Sequence, residues 1–374
     1  MSTNQEIAEK TERLMSLMAA ENLGGVLVGA QHNFAWLTGG GTNGVDGSRD
    51  PGVGSLFIRR DGRRFLLANN IEVRRLLVEE LDGQDYEPIE FSWEDEKADA
   101  TIVAHRAATL VEGDQLIGSD VPLGDGVRVI ENLLSQVRCR LTNAEVERLR
   151  VLARDAGSAI GEMARALEPG VSEREIVRRA SDALAAHGAR AVVALAAADE
   201  RLKLFRHPVP TDKRWERVAM IAVCARRGGL TVSLTRIVCA GDVPNDLRDR
   251  TRATAEVNAR LFAATRPGVT GRELYEVAAL SYSAVGFPGE QHLHHQGGAI
   301  GYRTREWVAH PRSEERVENR GAFAWNPSIT GTKVEETAIV LNDSIEVITA
   351  SPDWPRESVS IDGREYILPG VLAL

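Results

Sequence analysis

Apolar and polar residues follow short, mixed rhythms over residues 1–138 and a longer helical rhythm from residue 141 onward, so the chain reads as two domains. The first stretch opens on an amphipathic helix and continues through the apolar strand GGVLVG at 24–29. A short helical segment carrying Phe34 and Trp36 follows, then a strand pair around SLFIRRDGRRFLLA. Strands alternating with helices predict an α/β domain over 1–138. The segment GGGTNGVDGSRDPGVG at 39–54 lacks the GxxxxGK[ST] spacing of a phosphate cradle and reads as a mobile loop.

From LTNAEVERLR at 141–150 long helices take over, and the chain repeats itself. ALEPGVSEREIVRRASDALAAHG and ATRPGVTGRELYEVAALSYSAVG align at a constant offset that pairs Pro169 with Pro267, Gly170 with Gly268, Glu175 with Glu273 and Gly188 with Gly286. In each copy Pro-Gly is expected to end one helix, and Ser172 or Thr270 to cap the next. Strands follow each copy. Two such helix-helix-sheet halves, facing each other across a pseudo-twofold axis, would enclose a cleft suited to small ligands.

Two hairpins set the expected geometry of that cleft. In AMIAVCARRGGLTVSLTRIV a two-residue turn at Arg227-Gly228 would set Ala222 opposite Ser233 and Cys224 opposite Thr231. In AWNPSITGTKVEET a turn at Thr330-Gly331 would set Asn326 opposite Glu335 and Ser328 opposite Lys333. Directly opposed residues have Cβ atoms roughly 5 Å apart.

A length of 374 residues suits two cores, and 45 basic against 54 acidic residues give a net charge of -9 with no basic block. That balance points away from nucleic acid and toward small molecules or peptides. Cys139, Cys224 and Cys239 have neither zinc-site nor disulfide spacing, which fits a reducing compartment. The N-terminus MSTNQEIAEK is not followed by the apolar stretch of a signal peptide, and no run approaches a membrane span, so a cytoplasmic protein is expected.

Four segments, RHPVPTD, AMIAVCARRGGLTVSLTRIV, HHQGGAIG and AWNPSITGTKVEET, resemble in order and spacing the pita-bread family of methionine aminopeptidases, prolidases and creatinase. NFAWLTGG at 33–40 extends the resemblance to a creatinase-type N-terminal domain, so the expected fold is α/β (α+β). It implies an N-terminal domain over 1–138 and a pita-bread domain with an internal pseudo-twofold repeat over 139–374. Metal-binding members place Asp, Asp, His, Glu and Glu where this chain has Ala222, Ser233, Gly298, Asn326 and Glu335. One Glu and one neutral Asn cannot supply the anionic oxygens that a pair of dications requires. Lys333 adds an ammonium on the same face, although family metalloenzymes often carry Arg there. Neither a metal nor another cofactor is therefore expected. The resemblance also implies a homodimer, in which a loop near Arg49 and Asp50 could cover the partner's site.

The resemblance nominates His207 as proton shuttle, because creatinase uses the matching histidine as general acid and base without metal. Glu335 would hold a substrate N–H or a water, or else form an ion pair with Lys333. Arg305 stands where many members carry a second histidine; with Lys333, and with Arg303 if 301–306 is extended, it would recognise an anion. Arg206 is either solvated or aimed at such an anion. Gly297 and Gly298 are expected to leave room for a bulkier ligand. Asn326, Ser233 and His295 complete the candidate substrate contacts. HLHH at 292–295 is read as strand or loop histidines, with an unconventional metal as the alternative. Cys224 is either a core residue or the nucleophile of a Cys-His pair. The function these residues imply is metal-independent hydrolysis of a C–N bond in a small, polar, anionic molecule. The alternatives are a non-catalytic peptide or protein binder, and an Xaa-Pro aminopeptidase-type metallopeptidase with an atypical site.

Overall fold

A computed structural model describes residues 3–113, 115–342 and 344–374. It divides into two units: one runs to Arg138 and includes Thr142–Glu145, and the other comprises Cys139–Leu141 and Val146–Leu374. In the first, β1 (Leu23–Ala30), β2 (Pro51–Arg59), β3 (Arg64–Asn69), β4 (Glu87–Phe91), β5 (Leu116–Ser119) and β6 (Val127–Val129) form one sheet in the order β4-β3-β2-β1-β5-β6. Strand β1 is buried along its whole length, as expected of a central strand covered on both faces. The helix Thr3–Glu21 and the short helix Gln31–Leu37 flank it in sequence, so this mixed sheet is the expected α/β domain.

The second unit repeats one motif twice. Helices Asn143–Arg165 and Glu173–Ala185 precede β7 (Arg190–Ala198), β8 (Val218–Arg227) and β9 (Leu230–Cys239). Helices Asn245–Ala264 and Gly271–Ala284 precede β10 (Gly297–Ile300), β11 (Trp307–Val308), β12 (Ala322–Trp325), β13 (Ser328–Ile329), β14 (Thr332–Lys333), β15 (Glu336–Leu341) and β16 (Ser344–Val347). The chain closes with β17 (Arg356–Ile361), β18 (Arg364–Pro369) and β19 (Val371–Ala373). The half-sheets are ordered β19-β9-β8-β7 and β11-β10-β12-β15-β16, with β13-β14 and β17-β18 as separate hairpins.

The two copies make matching contacts. Gly170 N–H donates to Trp215 O and Gly268 N–H to Val317 O, while the Arg214 and Arg316 guanidiniums return to the Gly170 and Gly268 carbonyls. Both glycines need positive φ, 94° and 89°, a region closed to most side chains. Ser172 and Thr270 cap the second helix of each copy as expected, Thr270 through a capping box with Glu273. The first helices end at Arg165 and Ala264, ahead of Pro169 and Pro267, so Pro-Gly shapes the turn rather than the helix end.

The half-sheets join at their centre through Thr337, whose hydroxyl accepts from Ser233 N–H at 2.8 Å and donates to Ser233 O at 2.9 Å. Thr235 N–H adds a bond to Glu335 O at 3.1 Å. Beneath the second half-sheet, Leu261, Phe262, Leu274, Tyr282, Phe323 and Trp325 pack into one apolar core. Burial of these large side chains, each contributing about 2 kcal/mol, fixes the strands that carry the cleft residues. Among the described residues no helix is long and apolar enough to cross a membrane.

Candidate active site

Hairpin register decides which side chains meet. The second hairpin has the expected alignment, with Ser328 opposite Lys333 and Trp325 opposite Glu336, which brackets Asn326 and Glu335. The first does not. Its turn is Gly228-Gly229, so Ala222 pairs with Thr235 and Cys224 with Ser233. Tight hairpin turns of the favoured kind need positive φ at both central residues, and these glycines supply 53° and 78°; Arg227 could do so only with strain. The shift is even, so Ala222 and Ser233 remain on the pocket face but are no longer directly opposed.

The pocket has a volume of about 120 Å³. His207, Ala222, Cys224, His295, Arg305, Asn326, Lys333 and Glu335 line it, with Val193, Leu195, Val223 and Thr304. Glu335 is buried. Its Oε2 accepts from Lys333 Nζ at 2.9 Å and from Thr235 Oγ1 at 2.7 Å, while Arg305 Nη2 approaches Oε1 at 3.4 Å. Burial pushes this carboxyl up, but Lys333 and Arg305 outweigh it and hold the group below its ordinary 4.5. Asn326 Oδ1 and Arg305 Nε are buried with no hydrogen-bond partner among the described residues. One is an acceptor and the other a donor, and each must be satisfied by water or ligand.

His207 and His295 reach solvent, whereas His294 is buried. His207 Nε2 lies 3.0 Å from His294 Nε2, and His295 stacks on His294 with ring centroids 4.4 Å apart. Burial, joined by the Lys333 charge, pulls His207 below its ordinary 6.5 and His294 down to about 2; burial and Arg305 bring His295 to about 4. Each of these shifts favours the neutral imidazole. HLHH is not a strand here: residues 290–292 form a single 3-10 turn, followed by a bend. His292 turns away to Tyr275 and Gln291.

Other expectations change. Arg303 is exposed on a bend and does not line the pocket, because residues 301–305 are not extended. Arg206 is neither solvated nor free for substrate; it is tied to Glu290, Ser328 and Thr330. Gly297 and Gly298 open no space, since added Cβ atoms would lie 2.1 Å from the carbonyl oxygens of Ala324 and Trp307. They exist to let the strands approach. Ser233 is fully buried, its hydroxyl 3.1 Å from Cys224 Sγ. Burial raises the Cys224 thiol, the opposite of nucleophile activation, and its buried Sγ sits in the pocket wall beside Ser233. Glu336 faces away and is buried against Arg236 and Thr349, as its alternation predicts. Thr235 was missed; only the correct register reveals it as a ligand of Glu335.

The five family metal positions do not fit a pair of divalent cations. They offer a methyl at Ala222, a hydroxyl engaged with a thiol at Ser233, no side chain at Gly298, a neutral amide at Asn326, and a carboxylate already neutralised by Lys333. Hard or borderline dications require anionic oxygens or imidazole instead.

Helix-sheet halves related by a pseudo-twofold and closed over a polar cleft define a pita-bread protein of hydrolase ancestry. The chain belongs to metallopeptidase family M24, whose profile matches residues 147–349. It is 24% identical over 230 residues to an Xaa-Pro dipeptidase of Pyrococcus furiosus, covering 59% of this chain and 66% of that protein, just under two thirds. The fold matches an Xaa-Pro dipeptidase from Bacillus anthracis with a TM-score of 0.76 and 21% identity, over 92% of this chain and 98% of that one. It also matches the N-terminal domain of a FACT complex subunit from chickpea (Cicer arietinum), with a TM-score of 0.70 and 13% identity, over 92% and 96%.

Proposed function

We propose that this protein is a metal-independent hydrolase that cuts a C–N bond in a small, polar molecule carrying an anionic group. The observation that carries the reading is the His207 imidazole, shifted toward its neutral form, lining a pocket with one unpaired donor and one unpaired acceptor among the described residues. An amide-like substrate offers the complements of both. Arg305 Nε would donate to its anionic group, and Asn326 Oδ1 would accept from its N–H. His207, with a lone pair free at pH 7, would take a proton from water and return it to the leaving nitrogen. Glu335 Oε1, met among the described residues only by the long Arg305 contact, keeps lone-pair capacity for a substrate N–H or the attacking water. Lys333 holds that carboxylate ionised.

The test is a panel of amides, amidines, guanidines and dipeptides, assayed with and without chelator. The expected result is turnover that survives chelation and drops about 10²-fold or more in His207→Ala, with binding retained. Unchanged turnover in that variant, or loss of turnover on chelation, would refute the assignment. Binding without turnover across the panel would favour a non-catalytic peptide binder instead.

A further inference from the structure

We propose that His207, His294 and His295 bind a single divalent transition-metal ion, of the zinc, cobalt or nickel type, and that its capture silences the site. The second half rests on the proton-transfer role given to His207 above; the first half does not. Each of the three side chains offers one ring nitrogen, and these nitrogens all lie within 4.8 Å of one another. A tetrahedral ion with nitrogen ligands at about 2.0–2.1 Å spaces those nitrogens roughly 3.3 Å apart. His207 Nε2 and His294 Nε2, at 3.0 Å, are already within a few tenths of that spacing. His295 stacks on His294 at 24° between ring planes, so its ring must turn out of that stack for its in-plane lone pair to meet the same ion, and among the described residues no hydrogen bond holds it there.

The contact between two ring nitrogens is itself informative. At most one proton lies between them, so at least one of the two nitrogens is unprotonated, with its lone pair turned toward the other ring. His294 Nδ1 is buried without a partner among the described residues, and none of them therefore fixes the tautomer of that ring. Either nitrogen arrangement remains open to a metal.

Ligand chemistry decides which ion. Three imidazoles suit zinc, nickel, cobalt or copper, whereas magnesium, calcium and manganese favour oxygen. Lys333 and Arg305 line the same pocket and weaken any cation's binding, partly offset by Glu335. The site is thus separate from the five positions that hold metals in the resembled enzymes, and it differs in donor type and in number of ions. An ion there occupies the His207 lone pair, so proton transfer stops while the ion stays bound.

The experiment is a Co²⁺ titration of chelator-treated, full-length protein followed by visible d–d absorption, with Zn²⁺ uptake measured by calorimetry. One ion per chain is expected, with tetrahedral cobalt bands that Zn²⁺ abolishes and Mn²⁺ leaves intact. His295→Gln, at a solvent-accessible position, should keep the parent's circular dichroism and weaken binding by more than the roughly 10- to 100-fold typical of losing a ligand's outer hydrogen-bond partner. His294→Ala should do the same. Absence of saturable uptake, or equal affinity in the His295 variant, overturns the site. These readouts need no substrate, so they stand apart from any failure of the hydrolase reading. If the ion binds and a turned-over substrate is still hydrolysed at full rate, the inhibitory half is wrong.

Discussion

Replacing Lys333 with methionine should destabilise the second unit strongly at neutral pH. The ammonium sits 2.9 Å from Glu335 Oε2, and the two side chains are only 7% and 4% exposed. Removing one member of a buried ion pair commonly costs 3–5 kcal/mol, because the remaining charge stays desolvated. Arg305 at 3.4 Å and the Thr235 hydroxyl at 2.7 Å remain, so the lower end, about 3 kcal/mol, is expected. The cost should depend on pH in a defined direction. Glu335 has a folded pKa below 4.5, so its ion pair contributes stability above pH 4.5 that is lost as pH falls through the folded value. Without Lys333 the folded value rises, and the penalty of Lys333→Met should shrink as the carboxyl becomes neutral. Urea unfolding followed by tryptophan fluorescence reads this directly, since Trp215, Trp307, Trp325 and Trp354 all lie in this unit. The double variant Lys333→Met with Glu335→Gln should recover much of the loss, because both charges leave together. A Lys333→Met penalty below about 1 kcal/mol at pH 7, or no recovery in the double variant, would refute a buried ion pair at this point.

Further outcomes follow from the same geometry. Gly298→Ala should lower the melting temperature, since the added Cβ would lie 2.1 Å from Trp307 O and force β11 away; overpacking of this kind costs about 1–3 kcal/mol, and an unchanged melting temperature would count against the strand spacing. Acid should destabilise the fold through His294: its folded pKa, about 2, is depressed below 6.5, so the unfolded chain alone takes up a proton below pH 6.5. Stability should therefore fall by about 1.4 kcal/mol per pH unit for this one group, and His294→Gln should show a shallower slope between pH 6.5 and 5; equal slopes would show that the ring is charged when folded.

Much of the fold was legible because its signals are short-range. Ser172 and Thr270 announce helix caps from three residues away, and the repeated Pro-Gly marks a turn that recurs in both halves. The second hairpin was readable because Gly331, with φ of 95°, is its one glycine. RRGG offered more than one two-residue turn, and only the requirement for two positive φ values separates them. That ambiguity hid Thr235. The histidine cluster was beyond reach of spacing arguments, since His207 and His294 are 87 residues apart and meet only through folding. The bends at 301–304 likewise separate Arg305, in the pocket, from Arg303, outside it. Gly298 misled for a different reason: loss of a side chain suggested space, but neighbouring backbone fills it.

The proposed function requires that this cleft hold no paired dications. Titration of chelator-treated protein with Mn²⁺, followed by electron paramagnetic resonance, tests it most directly. The account predicts that the signal remains that of free aqueous Mn²⁺ at every ratio. Two bound ions per chain, with an exchange-coupled spectrum that disappears in Glu335→Gln, would contradict it.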